Sequence, residues 1–465
     1  MAELTNQDSH ATLVLDIGKT NVKLVLLDAA GATLAEQRIA NTIVQQGPYP
    51  HHDTERIWHW LLDTAAGFAR LARIGAIVPV THGATAALVD RHGLVLPVLD
   101  YESALPEQHN AAYHAARPPF AATCSPDLPA GLNLGRQLAW QAHRFPAQFA
   151  QAQHILMYPQ YWAWRLSGVA AGEVTSLGCH TDLWQPRGQV YSSLVESMGW
   201  SALMAPLAPA WASLGALKPD LAARTGLPAD CQVLCGIHDS NASLLRYLDS
   251  DTGAVLSSGT WLIAASFHTD LAELRERDDM LANTNALGQP VACMRFMGGR
   301  EFAAIAGKDP EACGVDDLQR LCDQGSFALP CFAESGGPFS GQVGAYDGPA
   351  PRNARERYAL ATLYCALMSD YCLDALGARG AIVVEGSFSA NPYFAPLLAA
   401  LRPQQRVEVS DDASGTTCGA WMLHHKGETP ARGGMRAAPL PLEGWSLYLA
   451  RWRAMLVART SSTPA

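Results

Sequence analysis

Leu13 to Leu27, LVLDIGKTNVKLVLL, sets two apolar runs on either side of a short polar knuckle, Asp16-Ile17-Gly18-Lys19-Thr20-Asn21. The pattern predicts a strand, a tight turn and a returning strand, with Gly18 freeing the backbone at the bend. Such a hairpin aims several backbone N–H groups and the Thr20 hydroxyl at one spot, where an anion such as a phosphate fits. Asp16 ends the first strand beside that spot. A carboxylate next to a phosphate is repulsive unless a cation lies between them, so Mg²⁺ is implied, with Asp16 as its ligand. An ordinary β-hairpin with a polar turn accounts for the same residues, and the rest of the chain bears on the choice.

The chain has 465 residues, room for two or three domains and a large buried core. Hydrophobic residues make up 49% and charged ones 16%, which suits a compact globular enzyme and argues against disorder. The net charge of -10, with no basic run, excludes nucleic acid as an expected partner. The N-terminus lacks a basic region followed by an apolar core, so no signal peptide is expected. No apolar stretch approaches the length of a membrane span. Cys231 and Cys235 lack the second pair of a zinc ribbon, and Cys365 and Cys372 fall in a helical pattern as buried thiols. An odd cysteine count without an export signal points to a reducing cytoplasm.

Along the chain, the hairpin continues through Asp28-Ala29-Ala30-Gly31 into a third strand. A helix is predicted around 54–72, with Trp58, Leu61, Leu62 and Ala65 on one face. Ile74 to Val80 reads as a strand covered on both faces. It ends at Thr81-His82-Gly83-Ala84, where α/β proteins place ligand contacts. A hairpin is expected over 86–98, ending at Asp100, then a loop or small insert over 103–132. Helices are expected at 134–145 and at 155–166, the latter carrying Gln160. Gly172-Glu173-Val174-Thr175-Ser176-Leu177-Gly178 reads as a helix C-cap and loop. A short buried strand, 233–237, ends in Gly236-Ile237-His238-Asp239-Ser240-Asn241, with a helix at 242–247.

Residues 253–267 repeat the opening design: Ala254-Val255-Leu256 leads into Ser257-Ser258-Gly259-Thr260, and Trp261-Leu262-Ile263-Ala264 leads out. The boundary is expected at 248, giving domains 1–248 and 249–455 and a disordered tail, 456–465. Later come a loop over 330–348, a helix over 356–376 and a strand, 381–384. That strand ends in Glu385-Gly386-Ser387, whose glycine turn lets a flat base or ribose approach the backbone. A strand, 406–410, and a helix, 417–424, close the second half. Gly/Thr bends opening each half suit a triphosphate held from two sides, although Gly259 and Gly386 taken singly are also ordinary strand ends.

Asp239 follows a buried strand and precedes a helix. A carboxylate there accepts the proton of a sugar hydroxyl as that hydroxyl attacks a γ-phosphate. The same position suits a helix N-cap. His238 and His82 each read either as a substrate contact or as a satisfied structural group.

Asp16-Ile17-Gly18-Lys19-Thr20, Gly236-Ile237-His238-Asp239-Ser240, Ser258-Gly259-Thr260-Trp261 and Val384-Glu385-Gly386-Ser387 occur in the order seen in FGGY carbohydrate kinases, and the chain resembles them over about 13–424. His238-Asp239-Ser240 and the Ser-Gly-Thr-Trp bend are most similar to the rhamnulokinase branch, with fuculokinases and xylulokinases as near relatives. The resemblance implies an α/β fold of two actin-like ATPase (ribonuclease H-like) domains with a catalytic cleft between them. It implies ATP and Mg²⁺ as cofactors, a small sugar as substrate, and a homodimer as a common outcome. Asp16 would position Mg²⁺, with Gly18, Lys19, Thr20 and Asn21 near the phosphates, and Asp239 would be the general base. Gly259 and Thr260 would hold phosphates, while Gly386, Ser387 and Gly415 would lie near the adenosine. His82, Gly83, Asp100, Gln160, His238, Ser240 and Arg295 are the candidate sugar contacts.

Three positions depart from the family pattern. Gln137 stands where the family usually shows Lys, and Glu385 where a glycine is common. Arg295 replaces an Asn before Met297-Gly298, and a guanidinium accepts no hydrogen bonds. A catalytically inactive sugar or nucleotide sensor of the same fold is the alternative, and the presence of both Asp16 and Asp239 argues against it.

Overall fold

The computed structural model describes residues 10–248, 250–334, 336–410, 415–428 and 434–461. The chain divides into two compact units. One comprises Met1–Leu248, Ala282–Pro290 and Ser414–Arg432; the other comprises Asp249–Leu281, Val291–Ala413 and Gly433–Ala465.

In the first unit β1 (Ala11–Ile17), β2 (Asn21–Leu27) and β3 (Thr33–Ala40) form the expected antiparallel meander. Side chains alternate between the two faces of the sheet. Leu13, Leu15 and Ile17 enter a core with Trp58, Leu61, Leu62 and Phe68 of helix α1 (Thr54–Phe68). Val14, Val25 and Leu27 enter another core with Trp421 and Leu423 of the helix Gly415–His424. Both faces being covered explains the unbroken apolar runs. β3 is largely exposed and carries the Glu36–Arg38 ion pair, charges that discourage edge pairing.

β4 (Ile74–Thr81) lies parallel to β1. The strand Gln232–Leu234 and then β5 (Ile237–His238) pair with β4 in the same sense. Between them Gly236 has φ +86°, and a Cβ there would stand 2.4 Å from the Pro79 carbonyl oxygen. Only glycine passes that point without strain. Helix α2 (Val174–Leu177) precedes these two strands in sequence, and helix α3 (Asp239–Leu245) follows β5 directly.

The second unit repeats the scheme. β6 (Thr252–Ser258) and β7 (Leu262–Ser266) form a hairpin, and β8 (Pro290–Phe296) pairs antiparallel with β7. On the other side of β6 lie β9 (Ala381–Gly386) and β10 (Val407–Ser410), both parallel, then β11 (Gly434–Arg436), antiparallel.

Several sequence expectations are corrected. Ala86–Val89 does turn back at 90–93, with the antiparallel bridge Val89–Leu94 and the Val95 N–H donating to Leu88 O at 2.9 Å, but its main partner is the strand His154–Met157, so the helix expected from 155 begins at Tyr158. A short apolar run is ambiguous between strand and helix, and here the pairing decides. Of the two readings of 103–132 the small insert holds: the segment carries a 3₁₀ turn, Leu105–His109, and the helices Asn110–Ala116 and Phe120–Thr123. Within 330–348 the strand Ala345–Asp347 pairs with Phe327–Leu329. The tail is not disordered from 456: the helix Trp445–Ser461 runs through it, with Trp452 and Leu456 buried, and 462–465 lie outside the described residues. Residues 411–414, between the strand expected at 406–410 and the helix expected at 417–424, also lie outside them. Among the described residues no helix is long and apolar enough to cross a membrane.

Candidate active site

β1, β4 and β5 end side by side, at the edge where parallel strands present ligand sites. Asp16 sits one residue before the end of β1 and is 7% exposed. Its cross-strand partner in β2 is Lys23, whose Nζ stands 3.5 Å from Asp16 Oδ2. Burial pushes the Asp16 carboxyl up to about 6; Lys23 opposes that shift, and the charge of Asp239 adds to it. The two aspartates therefore sense each other within one unit.

Past β4, the His82 N–H donates to the Ile17 carbonyl at 2.9 Å, which ties the two strand ends together. A Cβ at Gly83 would stand 2.8 Å from His238 Nε2, so glycine there leaves room for the imidazole. His82 is buried, and burial lowers its pKa while the Asp239 carboxylate raises it.

Asp239 opens α3 as its first residue, and the N-cap is His238, so Asp239 is not the N-cap. Its Oδ1 accepts from the Ser240 N–H at 2.6 Å and the Ser240 hydroxyl at 3.3 Å. His238 Nε2 stands 3.2 Å from the same oxygen. The Asn241 amide nitrogen lies 3.2 Å from His238 Nδ1. That nitrogen only donates, so Nδ1 accepts and the neutral ring carries its proton on Nε2, toward Asp239. Burial pushes His238 down to about 4, which keeps it neutral at physiological pH. Asp239 itself is raised by desolvation, against the pull of His82 and Ser240. Its side chain nevertheless keeps 30% of its surface open to solvent. It is a recessed, reachable carboxylate.

The other predicted residues of this unit divide into two groups. Lys19 forms an ion pair with Asp100, lies 3.2 Å from Glu102 and stands 4.7 Å over the Tyr101 ring. Lys19 and Asp100 are thus one cluster. Thr20 and Asn21 form the exposed bend, which Asn41 clamps through Gly18 O at 2.8 Å and Thr20 O at 2.8 Å. Ser240 is exposed beside Asp239. Gln160 is fully buried, and its amide nitrogen donates to the Cys235 and Gly236 carbonyls at 3.0 and 3.1 Å. It braces the backbone break ahead of β5. Gln137 is likewise buried and donates to Ala84 O at 2.6 Å, bracing the Gly83 segment.

In the second unit Gly259 and Thr260 form the bend of the β6–β7 hairpin, with Gly259 N–H donating to Trp261 O at 2.8 Å. Nothing lies within 4 Å of a Cβ built on Gly259, so that bend is open. Gly386 has φ +81°, and a Cβ there would fall 2.0 Å from Ser258 O. The Ser258 hydroxyl also accepts the Phe388 N–H at 2.9 Å, locking the turn where Ser387 begins a 3₁₀ helix. Arg295 is held by Asp279 at 3.0 Å and stacks 4.5 Å over the Trp261 ring. It props the Gly259–Trp261 bend. Gly415 opens a helix of the first unit, beside Ser243 of α3.

Sequence reasoning missed Lys23, Tyr101 and the pair Glu173–Thr175. Glu173 caps α2: its Oε2 accepts from the Thr175 N–H at 2.9 Å and from the Thr175 hydroxyl. The expected C-cap and loop over 172–178 is therefore an N-cap and one helical turn. Lys23 carried a signal, because a hairpin register centred on the bend puts it opposite Asp16.

Residues 250–432 match the carbohydrate kinase FGGY C-terminal domain. A crystal structure of a carbohydrate kinase from Novosphingobium aromaticivorans is 39% identical, with a TM-score of 0.91 over 97% of this chain and 99% of that one. This chain belongs to the FGGY carbohydrate kinase family, and its fold is the two-domain, actin-like α/β fold of that family. L-fuculokinase of Salmonella typhi is 28% identical over 272 residues, 54% of this chain and 55% of that protein. The chain thus matches about half the length of the curated relatives. The structure of a xylulose kinase from Lactobacillus acidophilus shares the fold at 14% identity, with a TM-score of 0.78 over 97% of this chain and 99% of that one. The rhamnulokinase branch is not singled out.

Proposed function

We propose that this chain is an ATP-dependent kinase of a ketose, with Asp239 as the general base. The observation that carries the reading is the placement of Asp16 and Asp239 at the ends of β1 and β5, on either side of β4, where the charge of Asp239 acts on Asp16. One carboxylate is recessed but reachable; the other is buried and desolvated. A sensor needs neither.

The residues fit Mg-ATP. With Lys23 already opposing the shift, the Asp16 carboxyl at about 6 is mostly charged at neutral pH yet desolvated, and a divalent cation held there would offset that desolvation. The open Gly259 bend leaves room for backbone approach to a phosphate, and Gly386, exposed at a turn that its own packing on Ser258 requires, is the proposed adenosine contact. Asp16 would hold Mg²⁺, and Lys19, Thr20 and Asn21 would line the phosphate side. When bound, Mg²⁺ neutralises charge on the transferring phosphoryl group.

This chain's own groups do the rest. His238, neutral and donating from Nε2, and Ser240 orient the Asp239 carboxylate. Asp239 accepts the hydroxyl proton as the acceptor oxygen attacks. Gly83, His82 and Ser240 border that carboxylate and are the proposed sugar contacts. L-fuculose, L-rhamnulose and D-xylulose are the leading substrates, and the cytoplasm is the proposed location.

The test is ADP release with Mg-ATP and a panel of L-fuculose, L-rhamnulose, D-xylulose and L-ribulose. One ketose should raise ADP release well above the sugar-free rate. Asp239→Asn should then lower kcat about 10³-fold with the KM for ATP unchanged. Near-normal kcat in that variant would remove Asp239 from the role.

A further inference from the structure

A buried chain of hydrogen bonds reaches Asp239 from a carboxyl that has no part in the reaction above. Glu173 and Thr175 are both fully buried. The Thr175 hydroxyl has one proton, and it gives that proton to Glu173 Oε2. Its lone pairs are then the groups left for the His238 N–H, which reaches Thr175 Oγ1 at 3.0 Å. The Thr175 carbonyl faces the Asn241 amide at 3.5 Å, and the same amide holds the His238 ring. So both the backbone and the ring of His238 are referred to α2.

We propose that Glu173, acting through Thr175, is a positioning residue for the base. It fixes the direction of the Thr175 hydroxyl, which fixes the His238 backbone and, one residue on, the carboxylate of Asp239. The inference rests on Asp239 being the base.

The chemistry separates this from simple packing. Without an acceptor at 173 the Thr175 proton is free to rotate, and the hydroxyl no longer presents a fixed lone pair to His238. A base displaced by a fraction of an ångström loses rate and not nucleotide affinity, because alignment is required in the transition state. Gln at 173 keeps a carbonyl oxygen for the Thr175 proton, and Ser at 175 keeps the hydroxyl. Leu and Val keep the volume and lose the link.

The experiment compares Glu173→Leu, Glu173→Gln, Thr175→Val and Thr175→Ser on the ketose of the panel above with the highest kcat. The expected result is a 10- to 100-fold fall in kcat for the Leu and Val variants, with the KM for ATP within twofold of the parent. The Gln and Ser variants should stay within threefold of the parent kcat. The proposal is overturned if Thr175→Val keeps its kcat, if the Gln and Ser variants fall as far as Leu and Val, or if the loss lies in KM for ATP. It is equally overturned if both Leu and Val variants fail to fold, since the link is then structural. Asp239→Asn, run alongside, separates the two readings. An active Asp239→Asn removes the base itself, whereas an inactive one beside a normal Thr175→Val removes only the link.

Discussion

Asp16 and Asp239 are both raised by burial, and this has opposite consequences for stability and for rate. Asp16 titrates near 6 in the fold and at 3.8 when unperturbed. Between those values the native state holds a proton that the unfolded chain has released, so stability falls as pH rises from about 4 to 6 and stays low above. Asp16→Asn should therefore raise the Tm of the metal-free protein at pH 7.5, by an amount equivalent to at most about 3 kcal/mol. Below pH 4 it should change nothing. Thermal melts across that range, with Mg²⁺ withheld, check the sign; equal melting temperatures at pH 7.5 would sink it. For Asp239 the raised pKa would act on rate: as the proposed base it works only when ionised, so kcat/KM should drop about tenfold per pH unit below its pKa. That limb should lie above the value of an ordinary aspartate. A rate profile still flat at pH 4.5 would contradict it.

At the scale of elements, the sequence showed those parts whose signal is local. The two hairpins stood out because apolar alternation and a polar bend occur within one short window. Asp239 was legible as a strand-end carboxylate, but its freedom from capping was not, because the helix starts at Asp239 itself with His238 as N-cap. The roles of Gln160 and Arg295 were hidden for a related reason. Each side chain is engaged by groups distant in sequence, the Cys235 and Gly236 carbonyls for one and Asp279 with Trp261 for the other. Gly236 shows how much rests on one position. Its φ of +86° and the Pro79 oxygen 2.4 Å from a Cβ mean that Gly236→Ala strains the backbone just ahead of Asp239. A loss of about 2–3 kcal/mol is expected, read as a lower denaturation midpoint, together with a lower kcat. A variant with unchanged midpoint and rate would show that the bend does not position β5.

On the scale of the whole molecule, chain order and unit membership part company. A boundary near 248 follows from sequence, yet the helix Gly415–His424 belongs with the first unit. No local pattern announces this, because an amphipathic helix does not say which core it covers. The structure answers with contacts: Trp421 is buried in the core that holds Val14, Val25 and Leu27, and its Nε1–H donates to Asp28 O at 3.0 Å. Thr12 Oγ1 meets His424 Nδ1 at 2.7 Å, and a Cβ at Gly419 would fall 1.9 Å from Ala242 O of α3. The β1–β2 hairpin and the helix carrying Asp239 therefore both lean on residues met only after about 415 positions of chain. Trp421→Ala removes a large buried side chain from beneath β1 and β2, a cost of about 3–5 kcal/mol. Hydrogen exchange should locate that cost: amides of 11–27 should lose protection, while those of β6 and β9 keep theirs. Were protection lost in 252–258 and 381–386 instead, the helix would belong to the second unit, as the sequence boundary alone suggests.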